Sequence, residues 1–149
     1  TKFRRQGELM KALISGHAHF AEGMKSAVEL ITGPQADLHT LTFDEATHLE
    51  EYQNSLNDFC KNGEEVAIFT DLLGGTPFNK AMIAKGGSES VHIFTGTNLP
   101  MLIEFVSQGM MGTETDVMLD LSVSTAQDGI TLDLELGKKV QESEESDGI

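Results

Sequence analysis

The stretch that decides the fold is Val66–Asn79, which reads VAIFTDLLGGTPFN. Its first five residues are apolar or β-favouring, which is typical of a strand buried on both faces of a sheet. Asp71 follows directly, and the pair Gly74 and Gly75 then permits a tight turn. Pro77 suits the first turn of a helix. The stretch therefore predicts a strand, a glycine turn and a helix, which is the repeating unit of a parallel α/β sheet.

The same unit recurs along the rest of the chain. Strands are predicted at residues 11–15, 37–43, 66–70 and 91–95, and helices at about residues 17–31, 44–62, 77–84, 100–108 and 114–127. Asp44 is expected to cap the second of these helices. Strand–helix units in succession predict a doubly wound, mainly parallel α/β sheet in the order 2-1-3-4 with helices on both faces.

The two ends of the chain differ from this middle. Residues 1–9 are polar and basic, and we expect them to be an added leader before a native start at Met10. Residues 138–149 are almost wholly polar and predict a disordered acidic tail. Just before that tail, residues 130–136 alternate apolar and polar side chains, which predicts a half-exposed strand.

The composition excludes several classes of function. The 149 residues include 10 Lys and Arg against 24 Asp and Glu, for a formal net charge of −14. A nucleic-acid backbone would be repelled by that charge. The single cysteine excludes an internal disulfide and a Cys-rich zinc site. No apolar run approaches the roughly 18 to 20 residues of a membrane span, so we expect a soluble, cytoplasmic protein without membrane insertion.

The predicted topology directs attention to two loops. In an open parallel sheet, ligands bind outside the carboxyl ends of the strands where the strand order reverses. For the order 2-1-3-4 this point lies between the loops after the first and third strands, which carry His17 and Asp71. A helix N-terminus capped by Thr76 would favour an anion such as a phosphoryl group beside the imidazole. From spacing alone, a capped turn next to an uninvolved histidine remains the alternative.

Three segments make the chain resemble a known family. They are Ile14–Ala18 (ISGHA), Asp71–Asn79 (DLLGGTPFN) and Gly96–Met101 (GTNLPM), and their order and spacing cover nearly all of residues 10–136. On these residues the chain resembles the enzyme IIA (EIIA) domain of the mannose family of the bacterial phosphoenolpyruvate-dependent sugar phosphotransferase system (PTS). The resemblance assigns residues 10–137 to one such domain. One difference is that the family often has Thr-His-Gly where this chain has Gly-His-Ala.

The resemblance implies a phosphocarrier that needs neither a cofactor nor a metal. In the family, the histidine after the first strand accepts a phosphoryl group from the phosphocarrier protein HPr. It passes the group to a cognate IIB domain, which phosphorylates sugar during uptake through the membrane components IIC and IID. On this chain His17 becomes the phosphorylated nucleophile and Asp71 the residue that orients its ring. The phosphate is then held by Gly74, Gly75 and Thr76. Three further residues are implied at the rim or partner surface: His19, Asn98 and Met101.

The resemblance also implies an assembly and a role for the charge. The family is commonly dimeric, with a C-terminal strand exchanged between subunits, so residues 130–136 would pair antiparallel with the sheet edge of a partner copy. The charges of the two ends cancel, which leaves the net charge of −14 on residues 10–137. Such an acidic domain would steer a basic partner such as HPr.

Other functions stay open at this point. A regulatory EIIA-type domain, whose phosphorylation signals sugar status, would have the same site. The phosphotransfer subunit of a dihydroxyacetone kinase has the same fold and a histidine after the first strand, but the Gly-Gly-Thr-Pro-Phe-Asn stretch fits it less well. A nucleotide or flavin module is disfavoured because no G-x-G-x-x-G follows the first strand. A metal at the pair His17 and His19 is disfavoured because no third ligand lies nearby in the sequence.

Overall fold

The structure is a computed structural model that describes residues 10–133. The strands are β1 (Lys11–His17), β2 (Leu38–Phe43), β3 (Val66–Thr70) and β4 (Val91–Phe94). The helices are α1 (Phe20–Thr32), α2 (Leu49–Cys60), α3 (Thr76–Lys85), α4 (Leu99–Met110) and α5 (Thr115–Asp128). The predicted leader and acidic tail lie outside the described residues.

The strands form one sheet in the order β2-β1-β3-β4, and every neighbouring pair is parallel. The predicted order 2-1-3-4 is therefore confirmed. In this register Ser15 of β1 lies opposite Thr70 of β3, and His17 lies opposite Phe43 of β2. The ends of β1 and β3 consequently meet at one edge of the sheet, which places His17 and the loop that begins at Asp71 side by side.

The central strands are covered on both faces by separate apolar clusters. On β1, Ile14 points into a cluster that contains residues of α1, α4 and α5, whereas Leu13 points into a cluster with α2 and α3. Adjacent strand residues point to opposite faces of a sheet, so both faces of β1 need apolar side chains. Burying each large aliphatic side chain contributes roughly 1.5–3 kcal/mol. The central strands are therefore the rigid base on which the loop residues stand.

Two predicted helix starts differ from the observed ones. β1 continues to His17 and α1 begins only at Phe20, so His17 ends a strand instead of starting a helix. Asp44 does not cap α2, which begins at Leu49. The Asp44 carboxylate instead accepts the backbone N–H of Ala46 at 3.0 Å, which closes a local turn before the helix. Aspartate side chains commonly close such turns with the backbone two residues ahead.

The predicted C-terminal strand is not present in the part that the structure describes. Residues 130–133 form no strand, and residues 134–136 lie outside the described residues. Ile130 and Leu132 are 75% and 71% exposed, so both apolar side chains are uncovered in this chain. Of the helices described between residues 10 and 133, none has the length and apolar character required to cross a membrane.

Candidate active site

A histidine and an aspartate from neighbouring strand ends are joined at the carboxyl edge of the sheet. His17 Nδ1 lies 2.7 Å from Asp71 Oδ2, and the backbone N–H of His17 donates to the same oxygen at 2.8 Å. The other oxygen, Oδ1, accepts the backbone N–H of Leu72 at 2.9 Å. Both oxygens of the Asp71 carboxylate are thus engaged, and the structure brings together the two residues that the sequence singled out.

The environment of Asp71 decides which nitrogen of His17 is free. Burial alone would raise the pKa of Asp71, but hydrogen bonds from the backbone and ring of His17 and from the Leu72 N–H outweigh it and lower that pKa below its usual value. The carboxylate is therefore ionised and acts only as an acceptor. In the neutral imidazole Nδ1 must then carry the proton, and Nε2 keeps its lone pair. The His17 side chain is 49% exposed, so Nε2 belongs to a ring that a partner can reach.

The N-terminus of α3 lies against the imidazole. A Cβ atom added at Gly75 would lie 3.2 Å from Cε1 of His17, which is closer than side chains normally pack. Gly74 has a φ of +81°, a left-handed conformation that favours glycine. The two glycines therefore bring the first turn of α3, whose N–H groups lack helical partners, beside the ring.

The predicted helix cap is one residue out of place. Gly75 occupies the N-cap position of α3, Thr76 is the first helical residue, and no side-chain hydrogen bond caps this helix. The Thr76 hydroxyl is therefore not used as the cap that the sequence predicted. Gly74, Gly75 and Thr76 nonetheless form the loop that meets the helix next to His17.

Two neighbours of His17 in the sequence shape its surroundings. A Cβ atom at Gly16 would lie 2.9 Å from Cγ of Asp71 and 2.7 Å from Phe20, so only glycine lets the carboxylate approach β1. Ala18 has a φ of +52° and is the non-glycine residue with a left-handed backbone within residues 10–133. Its N–H donates to the Phe43 carbonyl at 2.7 Å, which holds the chain in that conformation. Glycine would adopt the same backbone conformation without strain.

An open cavity of about 660 Å³ surrounds the exposed side of His17. His19 lines it together with the acidic residues Asp44 and Glu45. Between residues 10 and 133, no group of three or more His, Cys, Asp or Glu side chains could hold a metal ion.

The other two expected rim residues lie elsewhere. Asn98 caps α4, because its side chain accepts the Met101 N–H at 3.1 Å and donates to the Ala126 carbonyl at 2.9 Å. Met101 is only 4% exposed and packs in the apolar core. Both residues line a second pocket of about 320 Å³ at the end of β4, apart from the cavity at His17. The reason is local: the Asn98 cap turns Met101 inward at the start of α4.

Sequence reasoning missed two aromatic residues of the site. The Phe43 ring stands edge-on to the His17 ring with centroids 5.5 Å apart, and the Tyr52 ring packs on Phe43 at 5.1 Å. The sequence predicts Phe43 only as part of a strand and Tyr52 only as part of a helix. The available signal was the position of Phe43 at the end of the strand that neighbours β1.

Comparisons with known proteins agree on one family. Residues 11–121 match the family model EIIA-man, described as PTS system fructose IIA component. The sorbose-specific EIIA component of Lacticaseibacillus casei is 31% identical over 97 residues, which is 64% of this chain and 70% of that protein. The fructose-specific EIIA component of Bacillus subtilis is 30% identical over 103 residues, which is 66% of this chain and 70% of that protein.

A solved structure agrees with the sequence comparisons. The EIIA component from Streptococcus agalactiae superposes with a TM-score of 0.76 at 28% identity, covering 83% of this chain and 97% of that chain. The similarity thus includes both the sequence and the arrangement of the strands and helices.

Proposed function

This chain belongs to the EIIA family of the mannose, fructose and sorbose PTS, and from that premise we propose that it carries a phosphoryl group on His17. EIIA proteins of this family are phosphotransferase components that work with HPr and IIB partners. In the proposed scheme His17 accepts the phosphoryl group of phospho-HPr and passes it to a cognate IIB. Through IIB it serves sugar uptake by IIC and IID, and the domain acts in the cytoplasm.

The observation that carries this proposal is the contact of His17 Nδ1 with the ionised carboxylate of Asp71 at 2.7 Å. Because Nδ1 holds the proton, the lone pair of Nε2 is the nucleophile. Nε2 forms a bond to the incoming phosphorus, and the bond between that phosphorus and the donor nitrogen of HPr breaks and returns its electron pair to HPr. Transfer to IIB repeats the exchange in the opposite sense, with the His17 nitrogen as the leaving group. The proton on Nδ1 stays in place throughout both steps.

The neighbouring groups supply charge stabilisation for this exchange. The first turn of α3 lies beside the His17 ring through Gly75, and helix N-termini favour negative charge. We assign phosphate binding to the backbone of Gly74 and Gly75 and to the Thr76 hydroxyl, which caps nothing in α3. The Gly75 N–H already donates to the Leu72 carbonyl at 3.2 Å, so the phosphate would share that donor. Phosphoryl transfer depends chiefly on such positioning and electrostatic stabilisation. The scheme requires no metal and no cofactor.

Two acidic residues at the cavity of His17 support a basic partner at this edge of the sheet. Asp44 and Glu45 are exposed at the cavity of His17. An acidic rim around the acceptor favours encounter with a carrier that brings basic residues with its phosphoryl group. HPr is the proposed carrier.

The open sheet edge supports a homodimer. β4 is an outer strand of the sheet, and no strand between residues 10 and 133 pairs with its free side. The exposed Ile130 lines the pocket beside Ile93 and Phe94 of that strand. A strand formed by residues 130–136 of a second copy would pair antiparallel with β4 and cover this edge. The exchange of that segment between copies is part of the proposal.

The decisive experiment measures phosphoryl transfer from phosphoenolpyruvate through Enzyme I and HPr. We expect one acid-labile phosphoryl group on the wild-type chain and none on His17→Ala. The matched control is His19→Ala, because His19 lines the same cavity and is also exposed. Full labelling of His17→Ala would overturn the assignment of His17.

The second transfer separates transport from regulation. We expect the labelled protein to lose its phosphoryl group to a purified cognate IIB. Retention of the label in the presence of IIB, together with normal loading by HPr, would instead support the regulatory alternative.

A further inference from the structure

The Asp71 contact alone does not hold the imidazole of His17 in one orientation. A hydrogen bond to Nδ1 fixes one atom of the ring and still allows the ring plane to tilt about that contact. The side chain is also 49% exposed, so solvent covers much of its surface. In-line attack on phosphorus requires the Nε2 lone pair to be aimed, because effective transfer needs reacting groups held in a near-attack geometry. A second contact on the ring would supply the missing constraint.

Phe43 provides that second contact. Its ring stands nearly perpendicular to the imidazole, at an interplanar angle of 86° and a centroid distance of 5.5 Å. This edge-to-face geometry is favoured between aromatic rings. Phe43 is paired with His17 in the register of β2 and β1, and its carbonyl accepts the Ala18 N–H at 2.7 Å. Backbone and side chain of Phe43 therefore both hold the segment that carries His17.

Tyr52 supports Phe43 from the interior. The two rings lie 5.1 Å apart at 60°, and Tyr52 is only 3% exposed. The Tyr52 hydroxyl lies 2.6 Å from Oγ of Ser15, and the Ser15 hydroxyl donates to the Leu41 carbonyl at 2.7 Å. Because Ser15 uses its proton on Leu41, Tyr52 is the donor to Ser15.

The Tyr52 hydroxyl keeps its proton at neutral pH. Burial, as the largest cause, raises the pKa of Tyr52 to about 12, and the nearby Asp71 charge acts in the same direction. The contact to Ser15 is therefore intact at neutral pH. Ser15 lies two residues before His17 on β1. Tyr52 thus contacts the strand that carries His17 through Ser15, and it contacts the ring that packs on His17 through Phe43.

We propose that Phe43 and Tyr52 are positioning residues of the phosphoryl-acceptor histidine: Phe43 holds the imidazole of His17 opposite Asp71, and Tyr52 holds Phe43 in place. The inference rests on the proposed function for its consequence in transfer, but the orientation of the ring is a property of the unphosphorylated chain. Neither residue belongs to the three segments that carry the family resemblance.

Three variants separate positioning from ordinary packing. Phe43→Leu keeps an apolar side chain and removes the aromatic edge at His17, and Tyr52→Phe keeps the ring and removes the hydroxyl. Phe59→Leu is the matched control, because Phe59 packs on the same apolar cluster as Phe43, but its ring contacts His39 and the Lys11 ammonium instead of His17.

The primary measurement is the NMR order parameter of the His17 ring in the unphosphorylated protein, followed by kcat and KM for phosphoryl acceptance from HPr. In Phe43→Leu we expect lower ring order, a fall in kcat of about tenfold, and a nearly unchanged KM. Tyr52→Phe should lower the ring order less, and Phe59→Leu should leave both ring order and kcat at wild-type values.

The outcomes distinguish this inference from the proposed function. If Phe43→Leu has the same ring order and kcat as the wild type, the positioning role of Phe43 is overturned. The phosphocarrier proposal still stands in that case, provided that the wild-type chain accepts a phosphoryl group. A wild-type chain that accepts no phosphoryl group would overturn the phosphocarrier proposal, and the ring order alone would then decide whether Phe43 positions His17. Wild-type ring order in Tyr52→Phe would overturn the part assigned to Tyr52.

Discussion

At the scale of single residues, the carboxylate of Asp71 decides which nitrogen of the His17 ring carries the proton. Asp71 is ionised and can only accept, so it keeps the proton on Nδ1 and the lone pair on Nε2. An amide in its place can present either an oxygen or an NH₂ group to the ring. Presenting NH₂ would stabilise the other tautomer, with the proton on Nε2, and that tautomer has no lone pair on Nε2 with which to attack phosphorus.

Asp71→Asn is therefore expected to slow phosphoryl acceptance by at least about tenfold while the protein stays folded. The measurement is the transfer rate from HPr together with the ¹⁵N chemical shifts of the His17 ring, which report the tautomer. Asp58→Asn is the matched control, because Asp58 is an exposed aspartate near the end of α2 and does not line the cavity of His17. An unchanged rate in Asp71→Asn would reduce Asp71 to a turn residue.

At the scale of elements, the site depends on how closely α3 approaches β1. A Cβ atom added at Gly75 would lie 3.2 Å from Cε1 of His17 and 3.3 Å from Cγ and from the carbonyl oxygen of Leu72. A methyl group there would push the first turn of α3 away from His17 or displace the ring. The contribution of a helix N-terminus to an anion falls off within one turn, so a small displacement matters.

Gly75→Ala is accordingly expected to lower the transfer rate about tenfold, while the free energy of unfolding changes by no more than about 1 kcal/mol. The rate from HPr and a urea denaturation curve test both parts. Gly87→Ala serves as control, since Gly87 lies beyond the other end of α3 and an added Cβ there meets nothing within 4 Å. Equal rates for the two variants would show that the helix N-terminus has no part in transfer.

At the scale of the whole molecule, part of the negative charge lies where the phosphoryl group must arrive. The acidic rim at Asp44 and Glu45 lies at the carboxyl edge of the sheet, and the net charge of the chain is −14. Attraction of this kind mainly affects the rate of encounter and is screened by salt.

We expect the second-order rate of phosphoryl acceptance from HPr to fall several-fold between low and high ionic strength. The double variant Asp44→Asn with Glu45→Gln should show a shallower salt dependence than the wild type. A rate that does not change with salt would assign the charge to solubility alone.

The open edge of β4 leads to the second prediction at this scale. Truncation after Gly129 removes the alternating segment and is expected to shift a homodimer toward monomers, because the sheet edge loses its proposed cover. Sedimentation or size-exclusion measurements at micromolar concentration compare the truncated and full chains. Replacing Leu132 by Asp in the full chain tests the same apolar face without shortening it. A wild-type monomer at that concentration would contradict the proposed exchange.

The sequence by itself determined the alternation of strands and helices and the edge at which the site lies. These properties follow from local patterns: buried strands are continuously apolar, helices repeat every 3.6 residues, and glycines with a proline mark the start of α3. Because parallel strands align their carboxyl ends, the pairing of His17 with Asp71 could also be predicted. The structure confirmed the strand order and brought these two residues together.

Only the tertiary structure decided which other side chains surround the histidine. The contacts of Phe43 and Tyr52 depend on the register of β2 against β1 and on the packing of α2 against the sheet. A local sequence pattern predicts neither the register nor the packing. The same holds for the clearance at Gly16, which is set by a carboxylate 55 residues away in the chain, and for the burial of Met101 below the Asn98 cap. Periodicity specifies which face of an element is apolar, but distances between elements are settled by packing the whole core at once.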